Sequence, residues 1–181
     1  MKKFEEKTIH TENIYNGNVV KLQVDDVSLP DGKTSKRELI KHTGAVGIIP
    51  ITNDNKIVFV EQYRKPLEKS LVEIPAGKLE EGEDPSVTAL RELEEETGYT
   101  AGTPRFITSF YTSPGFADEI MYLYIADDLE TVENAAAGDD DEFIERIELT
   151  LDEAKQYVAD KQIHDAKTNY AILYLDTLER M

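Results

Sequence analysis

The sequence predicts an α/β (α+β) fold, with buried strands and amphipathic helices over residues 44–181 preceded by an antiparallel strand region over residues 1–43. Three observations carry this expectation. Residues 44–51 (GAVGIIPI) and 57–60 (IVFV) are near-continuous apolar runs of strand length, as strands buried on both faces require. Residues 86–97 carry apolar side chains at helical spacing between Pro85-Ser86 and Gly98, residue types that start and stop helices. Residues 4–43 form extended stretches separated by Asn16-Gly17 and by Pro30-Asp31-Gly32, both turn-forming combinations.

Taken in order, the N-terminal strands are expected at 4–15, at 19–29 and from Arg37-Glu38-Leu39-Ile40 onward. Gly32-Lys33-Thr34 resembles the end of a phosphate-binding loop, but Val27 stands where that motif needs glycine, and no apolar helix follows. The apolar runs at 44–51 and 57–60 flank a polar turn, and Glu61-Gln62-Tyr63-Arg64 continues the second of them outward. Residues 71–76 (LVEIPA) read as a strand leading into Gly77. In the helix over 86–97, Ser86 is the expected N-cap, and Val87, Leu90 and Leu93 form the apolar face with Ala89 at its edge. Strands follow at 104–111 and 119–126, joined by a stiff link containing Ser113-Pro114-Gly115. Residues 134–141 are small and acidic and read as a loop. A strand over 143–149 is expected to bury Phe143, Ile147 and Leu149 on alternate positions. Helices over 151–159 and 166–178 close the chain, the second with Ala171, Leu173, Leu175 and Leu178 as its apolar surface.

Composition bounds the function. A net charge of −17 argues against nucleic-acid backbones and anionic membranes as partners. It permits a phosphorylated substrate when divalent cations invert the local field. The absence of cysteine excludes disulfides and thiolate zinc or redox sites. The first fifteen residues, MKKFEEKTIHTENIY, lack a signal peptide's apolar core, and no apolar run reaches membrane-spanning length, so the expected location is cytoplasmic. His10, His42 and His164 are scattered, and none stands beside the acidic helix.

The chemistry concentrates in residues 77–99, GKLEEGEDPSVTALRELEEETGY, where Glu83, Glu92, Glu94, Glu95 and Glu96 crowd together. So much like charge is costly without nearby cations. Glu92 and Glu96 stand one helical turn apart with Glu95 beside them, an oxygen face of the kind Mg²⁺ prefers. Gly77 permits a tight turn that leaves the Ala76 carbonyl free to face a metal. Arg91 can hold Glu83, Glu92 or Glu95 by a two-pronged hydrogen bond. A solvated acidic face would explain neither the glycine nor the arginine. Glutamates, a carbonyl and a downstream acidic loop suit metal-assisted phosphoanhydride hydrolysis, with Glu92, Glu96 and Glu95 as ligands. The general base must reach a water from outside that cluster, and Glu142 is the first choice, Glu95 the second. Arg64 is a candidate for binding phosphate.

The spacing itself is specific: Gly77, five residues, Glu83, seven residues, Arg91-Glu92-Leu93, one residue, Glu95-Glu96, one residue, Gly98-Tyr99. This resembles the signature of the Nudix hydrolases at every position. The resemblance extends in layout from Gly44 to about Leu178 and implies an α/β/α sandwich around a mixed sheet. Within the family the chain is most similar to the ADP-ribose pyrophosphatases, whose mark is a proline sixteen residues after the last glycine of the signature, here Pro114. Glu61-Gln62-Tyr63-Arg64, Glu73-Ile74-Pro75-Ala76-Gly77, Ser113-Pro114-Gly115 and Asp141-Glu142-Phe143-Ile144-Glu145 add to it.

The resemblance implies hydrolysis of ADP-ribose to AMP and ribose 5-phosphate with Mg²⁺ or Mn²⁺. It implies Arg64 as a diphosphate contact, Glu119 as a carboxylate near the metals or the distal ribose, and Glu142 as the loop glutamate assisting catalysis, with Asp139 to Asp141 as neighbouring alternatives. Ser113 and Pro114 would contribute to selectivity. The N-terminal strands would make a homodimer and lend Arg37 and Glu38 to the nucleoside pocket. Two other readings stand beside this one: a pyrophosphatase for another nucleoside diphosphate sugar or a dinucleoside polyphosphate, and a ligand-sensing module that keeps the fold without catalysis.

Overall fold

A computed structural model describes residues 3–133 and 143–180. The chain forms two compact units, Met1–Gly44 with Tyr111–Ile120, and Ala45–Phe110 with Met121–Met181. The first holds an antiparallel sheet in the order β1 (Lys7–Asn16), β2 (Lys21–Ser28), β3 (Thr34–Lys41). Every residue of β1 is exposed, so apolar burial does not set its pairing. Buried Asp25 of β2 does much of that work, accepting hydrogen bonds from Thr11 at 2.8 Å and Thr8 at 3.0 Å of β1 and from Gln23 at 2.9 Å. The Ser113 carbonyl accepts from Phe116 at 3.1 Å and Ala117 at 2.9 Å, closing the link into a turn.

The second unit begins with β4 (Ala45–Pro50), buried throughout, and β5 (Ile57–Arg64). After a short 3₁₀ turn at Lys65–Leu67 come β6 (Lys69–Glu73) and β7 (Ala76–Lys78), so the expected single strand over 71–76 is divided. The two halves belong to different sheets, β6 pairing with β5 and β7 with β4. Pro75 cannot donate to a ladder, and the chain changes sheets there. Helix α1 (Pro85–Thr97) follows, then β8 (Tyr99–Thr100), β9 (Arg105–Tyr111), β10 (Ile120–Ala126), β11 (Glu130–Thr131), β12 (Ile144–Leu149), α2 (Leu151–Ala159) and α3 (Ala166–Glu179). The sheet around β4 is mixed, because β4 runs parallel to β10 and antiparallel to β7.

Alternate residues of β4 and β10 serve two cores. Val46, Ile48, Tyr124 and Ala126 pack with Ala89 and Leu93 of α1. On the other face Ile49 and Leu123 join Phe59, Val72 and Leu149, together with residues of α2 and α3. The unit is therefore the expected α/β/α sandwich with a mixed sheet.

Three expected faces are corrected. The α1 stripe runs through Ala89, Leu93 and Thr97, while Val87 is 55% exposed, because the sheet meets the helix about one position round from the face that the most apolar residues mark. Phe143 is 86% exposed, since β12 begins only at Ile144. In α3 the buried residues are Thr168, Ala171 and Ile172, with Leu173 and Leu178 exposed.

Candidate active site

The site is built where α1 crosses the end of β7. Asp84, not Ser86, caps α1: its side chain accepts from the Ser86 N–H at 2.8 Å and the Ser86 hydroxyl at 2.6 Å, and Pro85 opens the first turn. The longer reach of an Asp one residue before the proline wins over the serine. At the other end Gly98 is left-handed with φ of 71°, and its N–H reaches the Glu94 carbonyl. Strand β12 braces this end: Arg146 donates to the Thr97 carbonyl at 2.9 Å and lies 4.7 Å over the Tyr99 ring, whose hydroxyl donates to Glu148 at 2.9 Å.

Between these ends α1 turns its carboxylates toward β7. Gly77, opposite Val46 of β4, lies so close to Glu92 that a Cβ there would stand 2.0 Å from its carboxylate carbon. Close approach, not a tight turn, is therefore what requires glycine at this position. The Ala76 N–H donates to Glu96 at 2.9 Å, tying strand to helix a second time.

Arg91 organises the rest. Its Nη1 donates to Glu92 at 2.8 Å and Glu95 at 2.9 Å, and its Nη2 reaches Glu83 and the Lys78 carbonyl, both at 3.4 Å. All three carboxylates that the sequence offered as partners are thus held by one guanidinium. Burial works against its charge, but the hydrogen bond to Glu83 and the charges of Glu92 and Glu95 outweigh this and raise its pKa above the ordinary arginine value. Glu83 is held below the usual carboxylate range by the Thr88 hydroxyl at 2.7 Å and then by Arg91.

Among the described residues no three acidic or histidine side chains converge as an ion's ligands would. Glu92 and Glu95 are turned onto Arg91, and Glu96 onto Ala76. The donor types nevertheless fit a hard divalent cation: three carboxylates and a backbone carbonyl, with no nitrogen or sulfur ligand among them.

The other predicted residues fall into separate settings. Arg64, at the end of β5, grips Glu73 by a fork, Nε to Oε1 at 2.7 Å and Nη2 to Oε2 at 2.9 Å. Its pKa is raised chiefly by that bond, against burial, with the charge of Glu96 also contributing. In the first unit, Arg37 grips Glu6 at 2.8 and 2.6 Å, and Glu38 is exposed on β3. Ser113 and Glu119 line a cleft of about 290 Å³ with Val19, Ile40, His42 and Phe116, and Pro114 lies exposed in the adjoining turn. Glu119 accepts from Thr112 and lies 3.8 Å from His42 Nδ1. Glu142 and Asp139 to Asp141 lie outside the described residues.

Sequence reasoning missed Lys167, Asp165 and Thr168 in the first turn of α3, which bond Glu73, Lys167 and the Ile74 N–H respectively. The available signal was a glutamate inside the apolar run LVEIPA, a charge that must find a partner when buried.

The family model described as NUDIX domain matches residues 41–170. The methanol dehydrogenase activator of Bacillus methanolicus is 66% identical over 180 residues, which is 99% of this chain and 97% of that protein. The ADP-ribose pyrophosphatase of Bacillus subtilis (strain 168) is 55% identical over 181 residues, 100% of this chain and 98% of that protein. A crystal structure of an ADP compounds hydrolase matches 97% of this chain and 95% of its own with a TM-score of 0.85 at 20% identity, a likeness of fold.

Proposed function

We propose a function from the premise that this chain belongs to the Nudix family, whose model covers residues 41–170: it is an enzyme that hydrolyses the pyrophosphate bond of ADP-ribose to AMP and ribose 5-phosphate. The observation that carries this reading is the 55% identity, over the whole chain, to an ADP-ribose pyrophosphatase. The carboxylate face of α1 supports it independently.

Glu92, Glu95, Glu96 and the Ala76 carbonyl would hold Mg²⁺ or Mn²⁺, which when bound polarises phosphoryl oxygens and makes water a better nucleophile near neutral pH. Arg91 keeps the glutamates oriented and offsets their mutual repulsion. Arg64, with one edge on Glu73, has Nη1 outside that fork to meet a diphosphate oxygen. Glu142 accepts the proton of the attacking water, with Glu95 the second choice for that role. Water adds to one phosphorus, the anhydride P–O bond breaks, and the two phosphate monoesters leave. Ser113, Pro114 and Glu119, with Arg37 and Glu38, shape selectivity. The enzyme works in the cytoplasm, a placement supported by its cysteine-free composition. It is a homodimer through its N-terminal strands, a reading supported by exposed Ile9, Ile14, Tyr15 and Val19.

Incubating the purified protein with ADP-ribose and Mg²⁺ tests the reaction. AMP and ribose 5-phosphate are expected in equal amounts, and no AMP would refute it. Other nucleoside diphosphate sugars and dinucleoside polyphosphates in the same assay should turn over more slowly. A second reading has its own support, the 66% identity to a methanol dehydrogenase activator: the chain activates a methanol dehydrogenase. Adding wild type or the Glu96→Gln variant to a purified methanol dehydrogenase decides whether activation occurs and whether it needs this site.

A further inference from the structure

The chain changes sheets between β6 and β7, two residues before the glycine that cradles Glu92. At that crossover the Ile74 N–H has left the β6 ladder, and it donates instead to the Thr168 hydroxyl at 3.1 Å, in the first turn of α3. Thr168 is wholly buried. One residue earlier, Glu73 of β6 is only 3% exposed, and its carboxylate meets two cations, Arg64 and Lys167. Lys167 is in turn held at 3.0 Å by Asp165, which also caps α3 through the Thr168 N–H at 3.2 Å. The result is a row of alternating charges, Arg64, Glu73, Lys167 and Asp165, running from the end of β5 into α3.

For neutralising Glu73, Arg64 alone would suffice, so the lysine calls for a separate account. Oε2 of Glu73 is shared by Arg64 Nη2 and Lys167 Nζ, whereas Oε1 serves Arg64 Nε. Lys167 therefore fixes the plane of the carboxylate, and the carboxylate fixes the plane of the guanidinium through a two-pronged fork. That leaves Nη1 with no hydrogen-bond partner among the described residues, on a side chain that is 36% exposed. A guanidinium so aimed presents a preset donor edge to a ligand oxygen.

We propose that Lys167 is a positioning residue for substrate binding, acting through Glu73 to orient Arg64 toward the diphosphate. This rests on the reading of Arg64 as a diphosphate contact. The C-terminal helix is then part of the substrate-binding apparatus, through Lys167 and Glu73.

A double-mutant cycle on the full-length protein tests the coupling. Affinity for ADP-ribose would be measured by calorimetry without metal, and KM and kcat with Mg²⁺, for wild type, Lys167→Met, Arg64→Ala and the double variant. Lys167→Met is expected to raise Kd and KM on the order of tenfold, the scale of lost supporting interactions, while kcat changes less than about twofold. Lys167→Arg should recover most of the affinity, and in the Arg64→Ala background Lys167→Met should cost nothing more. If Lys167→Met does not fold, judged by thermal melting, Lys167→Gln takes its place in the cycle. Independent, multiplying effects of the two substitutions, or wild-type affinity in Lys167→Met beside weakened binding in Arg64→Ala, would overturn the proposal. Unchanged binding in Arg64→Ala would instead remove the reading of Arg64, and the proposal with it, while leaving the hydrolytic assignment intact. Absence of ADP-ribose binding by wild type would remove both.

Discussion

At the scale of single residues, Gly77 and Glu96 show how little space separates β7 from α1. A methyl group at position 77 would occupy the place of the Glu92 carboxylate. Because that carboxylate ends a flexible side chain, Gly77→Ala is expected to fold, with Glu92 swung aside. Activity should fall on the order of 10 to 100-fold, with a raised Mg²⁺ requirement, in a metal titration of turnover. Retention of wild-type metal dependence would mean that Glu92 is not where the chemistry occurs. Glu96→Gln is the complementary test. A glutamine oxygen can still accept from the Ala76 N–H, so the strand-to-helix tie survives while the ligand charge is lost. Thermal melting should stay near wild type and metal-dependent AMP release should be abolished; unchanged turnover would contradict the assignment of Glu96 as a ligand.

Elements are joined by charges as well as by apolar packing. The tie between β6 and α3 passes through Glu73, whose burial favours the neutral acid. The Arg64 hydrogen bond and the Lys167 charge reverse that preference and hold the carboxyl below its ordinary value near 4.5. A carboxylate with a depressed folded-state pKa stabilises the fold fully above its ordinary value, and that contribution is lost as pH falls through the depressed one. Urea unfolding of wild type and Glu73→Gln should therefore differ most at neutral pH. The advantage of wild type should shrink as pH drops below 4.5. A constant difference across that range would show that Glu73 is not ionised in the folded protein. The same element scale explains the divided strand: Pro75 ends one ladder, and β7 begins another opposite β4.

For the whole molecule, the N-terminal strands pose the question of what covers them. Strand β1 exposes residues on both faces, including Ile9 and Ile14, in a chain whose other sheets are packed on helices. The proposed homodimer predicts that sedimentation will give twice the monomer mass, and that Ile9→Lys with Ile14→Lys will shift it toward monomer and raise KM for ADP-ribose. A monomeric wild type with full activity would count against both the dimer and the shared pocket.

Much of this protein was legible from local pattern. The spacing from Gly77 to Tyr99 marked the second bend and the helix with its carboxylates and arginine, because helical periodicity and caps are properties of neighbouring residues. The buried strands at 44–51 and 57–60 were equally plain from their unbroken apolar runs. Exact faces were less so. Val87 and Phe143 look like core residues by composition, but their exposure depends on where a distant sheet meets α1 and where β12 starts.

By itself, then, the sequence determined the family signature, the order of the main strands and helices, and the placing of the glutamates and Arg91 on one helix. Tertiary structure alone decided that Arg91 gathers three glutamates at once, that Gly77 is needed for contact with Glu92, and that Glu73 meets Lys167 across 94 residues of chain. Periodicity fixes direction along one element, whereas a buried charge finds its partner only when the sheets and helices that carry both have packed.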